Sequence, residues 1–199
     1  MDKRRAGGVQ YCMSRFRFRR SRRPLDLAVD MAGVRMGERL LQAGAGDARA
    51  FAAIAAKVGL TGRACAVADT SEAVHVLERA AARQGVFVEV VGVQSGAWPF
   101  DTASFDIALV DGNALIGAAD GERQTRLAEI RRVVRAGGRV LAVYRSPRSL
   151  MMRLGFESAR EASQPARALL QAFDLAGLAP ARLLAEREGL TFVEALRPA

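Results

Sequence analysis

The chain has 199 residues, half of them hydrophobic and 26% charged. That is enough for one domain with a sizeable core, and it excludes global disorder. No stretch approaches the ~18 uninterrupted apolar residues that a membrane-spanning helix needs. Two cysteines, Cys12 and Cys65, and a single histidine, His75, exclude a disulfide scaffold and a His-rich metal centre, and argue against a Ser-His-Asp or Cys-His mechanism. Unpaired, reduced cysteines suit a cytoplasmic location.

The net charge of +9 is local. Met1 to Pro24 hold nine Lys/Arg and one acid, Asp2, leaving 21 bases and 20 acids in the rest. The body is therefore nearly neutral and gives no sign of a nucleic-acid-binding surface. The tail, residues 1–24, has charge without helical periodicity and is expected to be mobile. Arg15-Phe16-Arg17-Phe18-Arg19 interleaves cations with aromatics, a pattern able to grip phosphates or an anionic membrane surface. The plainer expectation is a solvated extension, with Met13 as an alternative start. Ser21-Arg22-Arg23 faintly matches a twin-arginine export signal, but Asp26, Asp30, Arg35 and Glu38 break any apolar segment behind it, so export is not expected.

From Leu25 to the end the chain reads as one domain of alternating strands and helices. Leu25 to Ala32 predicts a lead-in helix. Arg39 to Ala43 reads as a first strand, ending in the turn Gly44-Ala45-Gly46. Asp47 to Val58 is a helix capped by Asp47 and stopped by Gly59. Arg63 to Ala68 is a second strand ending at Asp69, and Thr70 or Ser71 caps a helix running to Arg83. Strands follow at Val86 to Val91 and Phe105 to Val110. Glu122 to Arg135 is a helix with Leu127, Ile130, Val133 and Val134 on one face, closed by Gly137-Gly138. Arg139 to Tyr144 is the fifth strand, Ala166 to Ala176 a helix, and Ala181 to Ala185 with Leu190 to Leu196 a final antiparallel pair. Apolar strands separated by helices imply a parallel α/β sheet covered on both faces.

In such a sheet, ligands bind beyond the carboxyl ends of the strands. Here those ends carry Gly44-Ala45-Gly46, Asp69, Gln94-Ser95 and Asp111-Gly112-Asn113. A glycine turn admits a ligand to the backbone, and an acid about 20 residues on can accept both hydroxyls of a ribose. The pair describes a nucleoside-containing cofactor. A dinucleotide fingerprint is disfavoured, because Arg49 stands where the third small residue belongs, and no P-loop occurs.

Three runs carry a more specific likeness. GERLLQAGAGDARAFAAIAAKVGLTGRACAVADTSEAV, GAWPFDTASFDIALVDG and LAEIRRVVRAGGRVLAVYRSP resemble, in order, the glycine-loop region, the Leu-Pro-Phe/Ser-Phe-Asp segment and the Pro-Gly-Gly helix and fifth strand of class I S-adenosylmethionine-dependent methyltransferases. The resemblance covers residues 36–146. It implies a Rossmann-like doubly wound sheet of about seven strands, mostly parallel with a C-terminal antiparallel strand. It also implies S-adenosylmethionine as cofactor and in-line methyl transfer to an acceptor, read as a small molecule. By the same likeness the cofactor positions are Gln42, Gly44, Ala45, Gly46, Asp69, Thr70, Gln94, Ser95 and Asp111. Asn113, after the fourth strand, and Tyr144 and Arg145, ending the fifth, are candidates for substrate contact.

The chain departs from the family at Gln42 and Gln94, where acids are usual, at Ala48 for the third glycine and at Ala136 for the proline. An amide still accepts a hydrogen bond, but without the charge that favours a sulfonium, a loss of about 1 kcal/mol. The alternative is a non-catalytic binding or regulatory protein on the same fold. No general base is evident; His75 is expected on a helix surface and Trp98 in the core. Met151, Met152, Leu154 and Phe156 are candidates for an apolar substrate cap. No metal site is expected.

Overall fold

A computed structural model describes residues 24–93, 96–145 and 164–199. The tail contacts, the cofactor positions Gln94 and Ser95, and the Met151–Phe156 cap lie outside the described residues.

Helix α1 (Pro24–Ala32) opens with proline at its first position, where a missing N–H costs nothing. Strand β1 (Arg39–Ala43) follows. Helix α2 (Ala48–Val58) is capped by Asp47, whose carboxylate accepts from Ala50 N–H at 3.1 Å. Strand β2 (Arg63–Ala68) leads to α3 (Ser71–Gln84). Thr70 caps α3 by accepting from Ala73 N–H at 3.1 Å, and Gly85 ends it at φ 70°.

Strand β3 (Glu89–Gly92) is shorter and later than the expected Val86 to Val91. The Val86 N–H still bonds Ala81 O, so the chain is leaving the helix there. Pairing with β2 starts only at Glu89 opposite Cys65, and Phe87 is 91% exposed.

Strand β4 (Phe105–Asp111) runs directly into a short helix, α4 (Gly112–Gly117), an element not among those expected. Helix α5 (Asp120–Val133) ends two residues before the expected Arg135, because Val134 already pairs with Phe105 as the start of β5 (Val134–Arg145). The ladder then resumes at Ile107 opposite Arg139, and Gly137 and Gly138 form the bulge between. A Cβ on Gly138 would lie 2.6 Å from Val134 Cγ1 and 2.8 Å from Arg135 O, so this excursion needs glycine. Helix α6 (Gln164–Leu175), β6 (Ala181–Arg187) and β7 (Leu190–Leu196) complete the fold.

The strands form one seven-stranded sheet in the order β3-β2-β1-β4-β5-β7-β6. β1 to β5 are mutually parallel, and β7 runs antiparallel to both β5 and β6. Successive side chains point to opposite faces, which separates the core in two. Leu40, Ile107 and Leu109 face Phe51, Ile54 and Leu77 of α2 and α3. Leu41, Val67 and Val110 face Leu127 and Ile130 of α5 and Phe173 of α6. Trp98 is buried in the second cluster and His75 is exposed on α3, as expected. No helix among the described residues is long and apolar enough to cross a membrane.

Candidate active site at the carboxyl edge of the sheet

From β1 the chain moves one way to β2 and β3, then crosses to β4 on the other side. The carboxyl ends of β1 and β4 therefore flank the switch point of the sheet, where an open α/β fold leaves a crevice.

The glycine turn forms one wall. Gly44 N–H donates to Val67 O at 2.9 Å, extending the β1–β2 pairing by one residue. Gly44 and Gly46 sit at φ 86° and 49°, in the left-handed region. Gln42 is buried (5% exposed), and its Nε2 donates to Gly44 O at 3.1 Å. A Cβ on Gly46 would lie 2.9 Å from that nitrogen. The Gln42 side chain thus folds under the loop and holds it.

Asp111 forms the opposite wall. Its Oδ1 accepts from the backbone N–H groups of Asn113 (2.9 Å) and Ala114 (3.2 Å), capping α4. Among the described residues its Oδ2 takes no hydrogen bond. The Asn113 amide bridges to β5: Nδ2 donates to Arg145 O (2.9 Å), and Oδ1 accepts from Arg145 N–H (2.8 Å). Both ends of that amide are therefore engaged by backbone. The Arg145 side chain reaches back across the edge to Asp47 at 2.9 Å.

Two cavities open on this edge. The first, about 370 Å³, lies between the strand ends and α5. Val67, Val93, Leu115 and Ile130 give it apolar walls, and Gly44 and Asp69 lie at its edge. Among the described residues its charged lining is four acids, Asp69, Asp111, Glu122 and Glu129, against one cation, Arg126. The second, about 620 Å³, lies on the α1–α2 side. Phe51, Ile54, Leu109, Val143 and Leu190 line it, with Gln42, Gly46, Asp47, Arg49, Asn113 and Arg145 around them. Val110 and Asp111 line both cavities.

The remaining expected positions fall as follows. Ala45 packs on the α2 side of the core, and the Thr70 hydroxyl is engaged as the α3 cap. Tyr144 packs against the α5–α6 side of the core and lines neither cavity.

The α5 residues Glu122, Arg126 and Glu129 were not anticipated. Arg126 NH2 bonds Asp69 Oδ2 at 2.8 Å and Glu122 Oε1 at 2.7 Å. Glu129 accepts from Trp98 N–H at 2.7 Å and pairs with Arg132 at 2.7 Å, while Arg132 donates to the carbonyls of Trp98 (3.0 Å) and Phe100 (2.7 Å). This clamp fixes the Trp98-Pro99-Phe100 turn over the cavity. The Arg132 guanidinium holds the Glu129 carboxyl below the usual range against the opposing effect of burial, with Trp98 N–H assisting. Glu122/Arg126 and Glu129/Arg132 stand four and three residues apart, the helical spacing that brings side chains together, and this was the available signal. Among the described residues no group of three or more His, Cys, Asp or Glu could hold a metal ion.

Comparison with known proteins agrees with this fold. Residues 40–138 match the family model described as a methyltransferase domain. A methyltransferase from Aquifex aeolicus described as SAM-dependent superposes with a TM-score of 0.70 at 16% identity, covering 87% of this chain and 89% of its own. The YcgJ protein from Bacillus subtilis superposes at 0.60 and 17%, covering 88% and 98%. The [4+2]-cyclase SpnF superposes at 0.63 and 16%, covering 88% and 80%. No curated protein matches the chain by sequence.

Proposed function

We propose that this chain, a class I methyltransferase by its fold and its matched domain, binds S-adenosylmethionine in the first cavity and transfers its methyl group to a small-molecule acceptor in the second. The observation that carries this reading is that Val110 and Asp111 line both cavities, an arrangement that would place two ligands on either side of Asp111 at the switch point. The residues present fit the cofactor. The apolar walls suit a flat base, and Asp69 Oδ1 is without a hydrogen bond among the described residues. The glycine turn exposes backbone, and the excess of carboxylates suits a ligand carrying sulfonium and ammonium charges.

When bound, the cofactor supplies a methyl group on a positively charged sulfur, with a thioether as leaving group. The chain's own work is alignment and exclusion of water. Asp111 is anchored through Oδ1 to the α4 backbone, so its Oδ2 is presented from a rigid cap at the junction. We assign it to orient the acceptor and, where the nucleophile carries a proton, to receive a hydrogen bond from it. The apolar lining of the second cavity suits an acceptor with a hydrocarbon body.

Titration calorimetry of the full chain with S-adenosylmethionine and S-adenosylhomocysteine tests the reading. The parent is expected to bind both, and Asp69→Ala to lose about tenfold or more in affinity through the ribose contact. Silence at millimolar ligand overturns the proposal.

A second reading, ligand binding without methyl transfer, has its own support. Gln42 is turned under the Gly44 loop, and the neighbour SpnF is a cyclase on this fold. Methyl-labelled cofactor presented with a panel of small acceptors separates the two. Binding without label transfer favours the second.

A further inference from the structure

We infer that Arg126 determines how this site divides its affinity between the cationic cofactor and the neutral adenosyl product, by competing with the ligand for Asp69. The inference rests on the cofactor reading above and goes beyond it, because Arg126 is none of the positions that the resemblance assigns to the cofactor or the substrate.

Three of the arginines on α5 can be compared. Arg123 donates to the carbonyls of Leu115, Ile116 and Ala118 and so holds the α4–α5 connection. Arg132 holds the Trp98–Phe100 turn by its carbonyls. Each is a staple with backbone partners. Arg126 has no backbone partner among the described residues. Its partners are two carboxylates, Asp69 at 2.8 Å and Glu122 at 2.7 Å, and all three residues line the first cavity.

Two physical consequences follow. A ribose diol that takes Asp69 must share it with a guanidinium already on Oδ2, or displace that guanidinium onto Glu122, which stands ready as its second partner. Binding any adenosyl ligand is therefore opposed by the loss or weakening of one ion pair. The second consequence depends on ligand charge. Arg126 is the one cation against four acids in the described lining. It repels a ligand of net charge +1 and is nearly indifferent to one of net charge zero. Its removal should strengthen binding of both ligands, and of the sulfonium more. The Asp69–Arg126 pair is half-exposed on the aspartate side, so salt should weaken it and relieve the competition.

Calorimetry on the full chain, with S-adenosylmethionine and S-adenosylhomocysteine titrated separately at low and high salt, reads all of this. Arg126→Gln is expected to bind S-adenosylmethionine about tenfold more tightly and S-adenosylhomocysteine about threefold more tightly, orders set by one unit charge and one exposed ion pair. The ratio of the two affinities therefore rises. The homologue's affinity should rise with salt in the parent and lose that dependence in Arg126→Gln. Glu122→Gln removes the alternative resting place of the guanidinium and should weaken both ligands. Arg126→Lys keeps the charge but not the fork, and serves if Arg126→Gln shows a lowered unfolding midpoint; it should fall between parent and Gln for both ligands. Unchanged or weaker cofactor binding in a folded Arg126→Gln, or equal gains for both ligands, overturns the inference while leaving the cofactor reading standing. No binding by parent or variant overturns both.

Discussion

Gln42 has an amide where the resemblance led an acid to be expected, and the amide turns inward to the Gly44 carbonyl, below the loop. What the site loses in charge there it retains elsewhere, since Asp69, Asp111, Glu122 and Glu129 line the first cavity. Cys65 shows the opposite case of a reactive residue type made inert. It sits in the middle of β2 at 0% exposure, and burial pushes its thiol up to about 12, outweighing the Arg63 charge that acts to lower it. The folded Cys12→Ser variant, with Cys65 as its remaining thiol, should therefore resist a thiol reagent at pH 8 and react fully in denaturant. Fast labelling of the folded form would mean that β2 is not held as described. Asp69 and Thr70 were legible as residues in the sequence. That Asp69 would meet an arginine 57 positions away was not, because nothing local joins them.

At the scale of elements, α4 is the piece that makes the edge a site. Asp111 caps it and Asn113 ties it to β5, so the short helix depends on neighbours for its stability. Its start is also tightly packed. A Cβ on Gly112 would lie 3.0 Å from both Tyr144 Cβ and Val143 O, and 3.1 Å from Tyr144 Cα. Backbone cannot give way as a side-chain tip can. Gly112→Ala should cost about 1–3 kcal/mol in denaturant unfolding and weaken binding of adenosyl ligands, since Asp111 moves with the cap. A variant as stable as the parent would show that α4 and β5 are not in this contact. The elements with strong local signals, α2 with its Asp47 cap and α3 between Thr70 and Gly85, were readable at nearly their observed limits. The elements that were misread depend on pairing. β3 begins where β2 offers a partner, α5 stops where Phe105 captures Val134, and α4 forms where a turn was equally compatible with Asp-Gly-Asn.

Across the whole molecule, the amino edge of the sheet is held by an ionic junction. Asp106 on β4 accepts from Arg39 N–H (2.7 Å) and Arg39 Nε (3.2 Å) on β1, and from Arg135 Nε (2.6 Å) at the β5 bulge. Its side chain is 15% exposed. Burial alone would raise its pKa; the hydrogen bonds from Arg39 and Arg135 outweigh that and bring it down to about 2 from 3.8. A carboxyl with a depressed folded pKa contributes stability above its unfolded value and loses it as pH falls through the folded one. The junction should therefore contribute fully above pH 4 and fade between pH 4 and 2. The shift corresponds to about 2 kcal/mol, less some screening by the solvent around both arginines. Asp106→Asn should lower the thermal midpoint at pH 7 and show a smaller further loss than the parent on acidification to pH 2. Parallel curves for the two proteins would remove Asp106 from the account.

Capping residues, apolar strand runs and glycine stops act over a few positions, so composition and order alone determined the alternation of strands and helices and the residues at each strand end. A ligand site is a convergence of chain segments far apart in sequence, and its electrostatics depend on which charges meet. Tertiary structure alone decided that α5 would supply most of the charge lining the first cavity, that Asp69 would be paired, and that two cavities would share Asp111. The reason is physical: short-range backbone preferences are written residue by residue, whereas an ion pair 57 positions apart exists only once the sheet has brought both ends to the same edge.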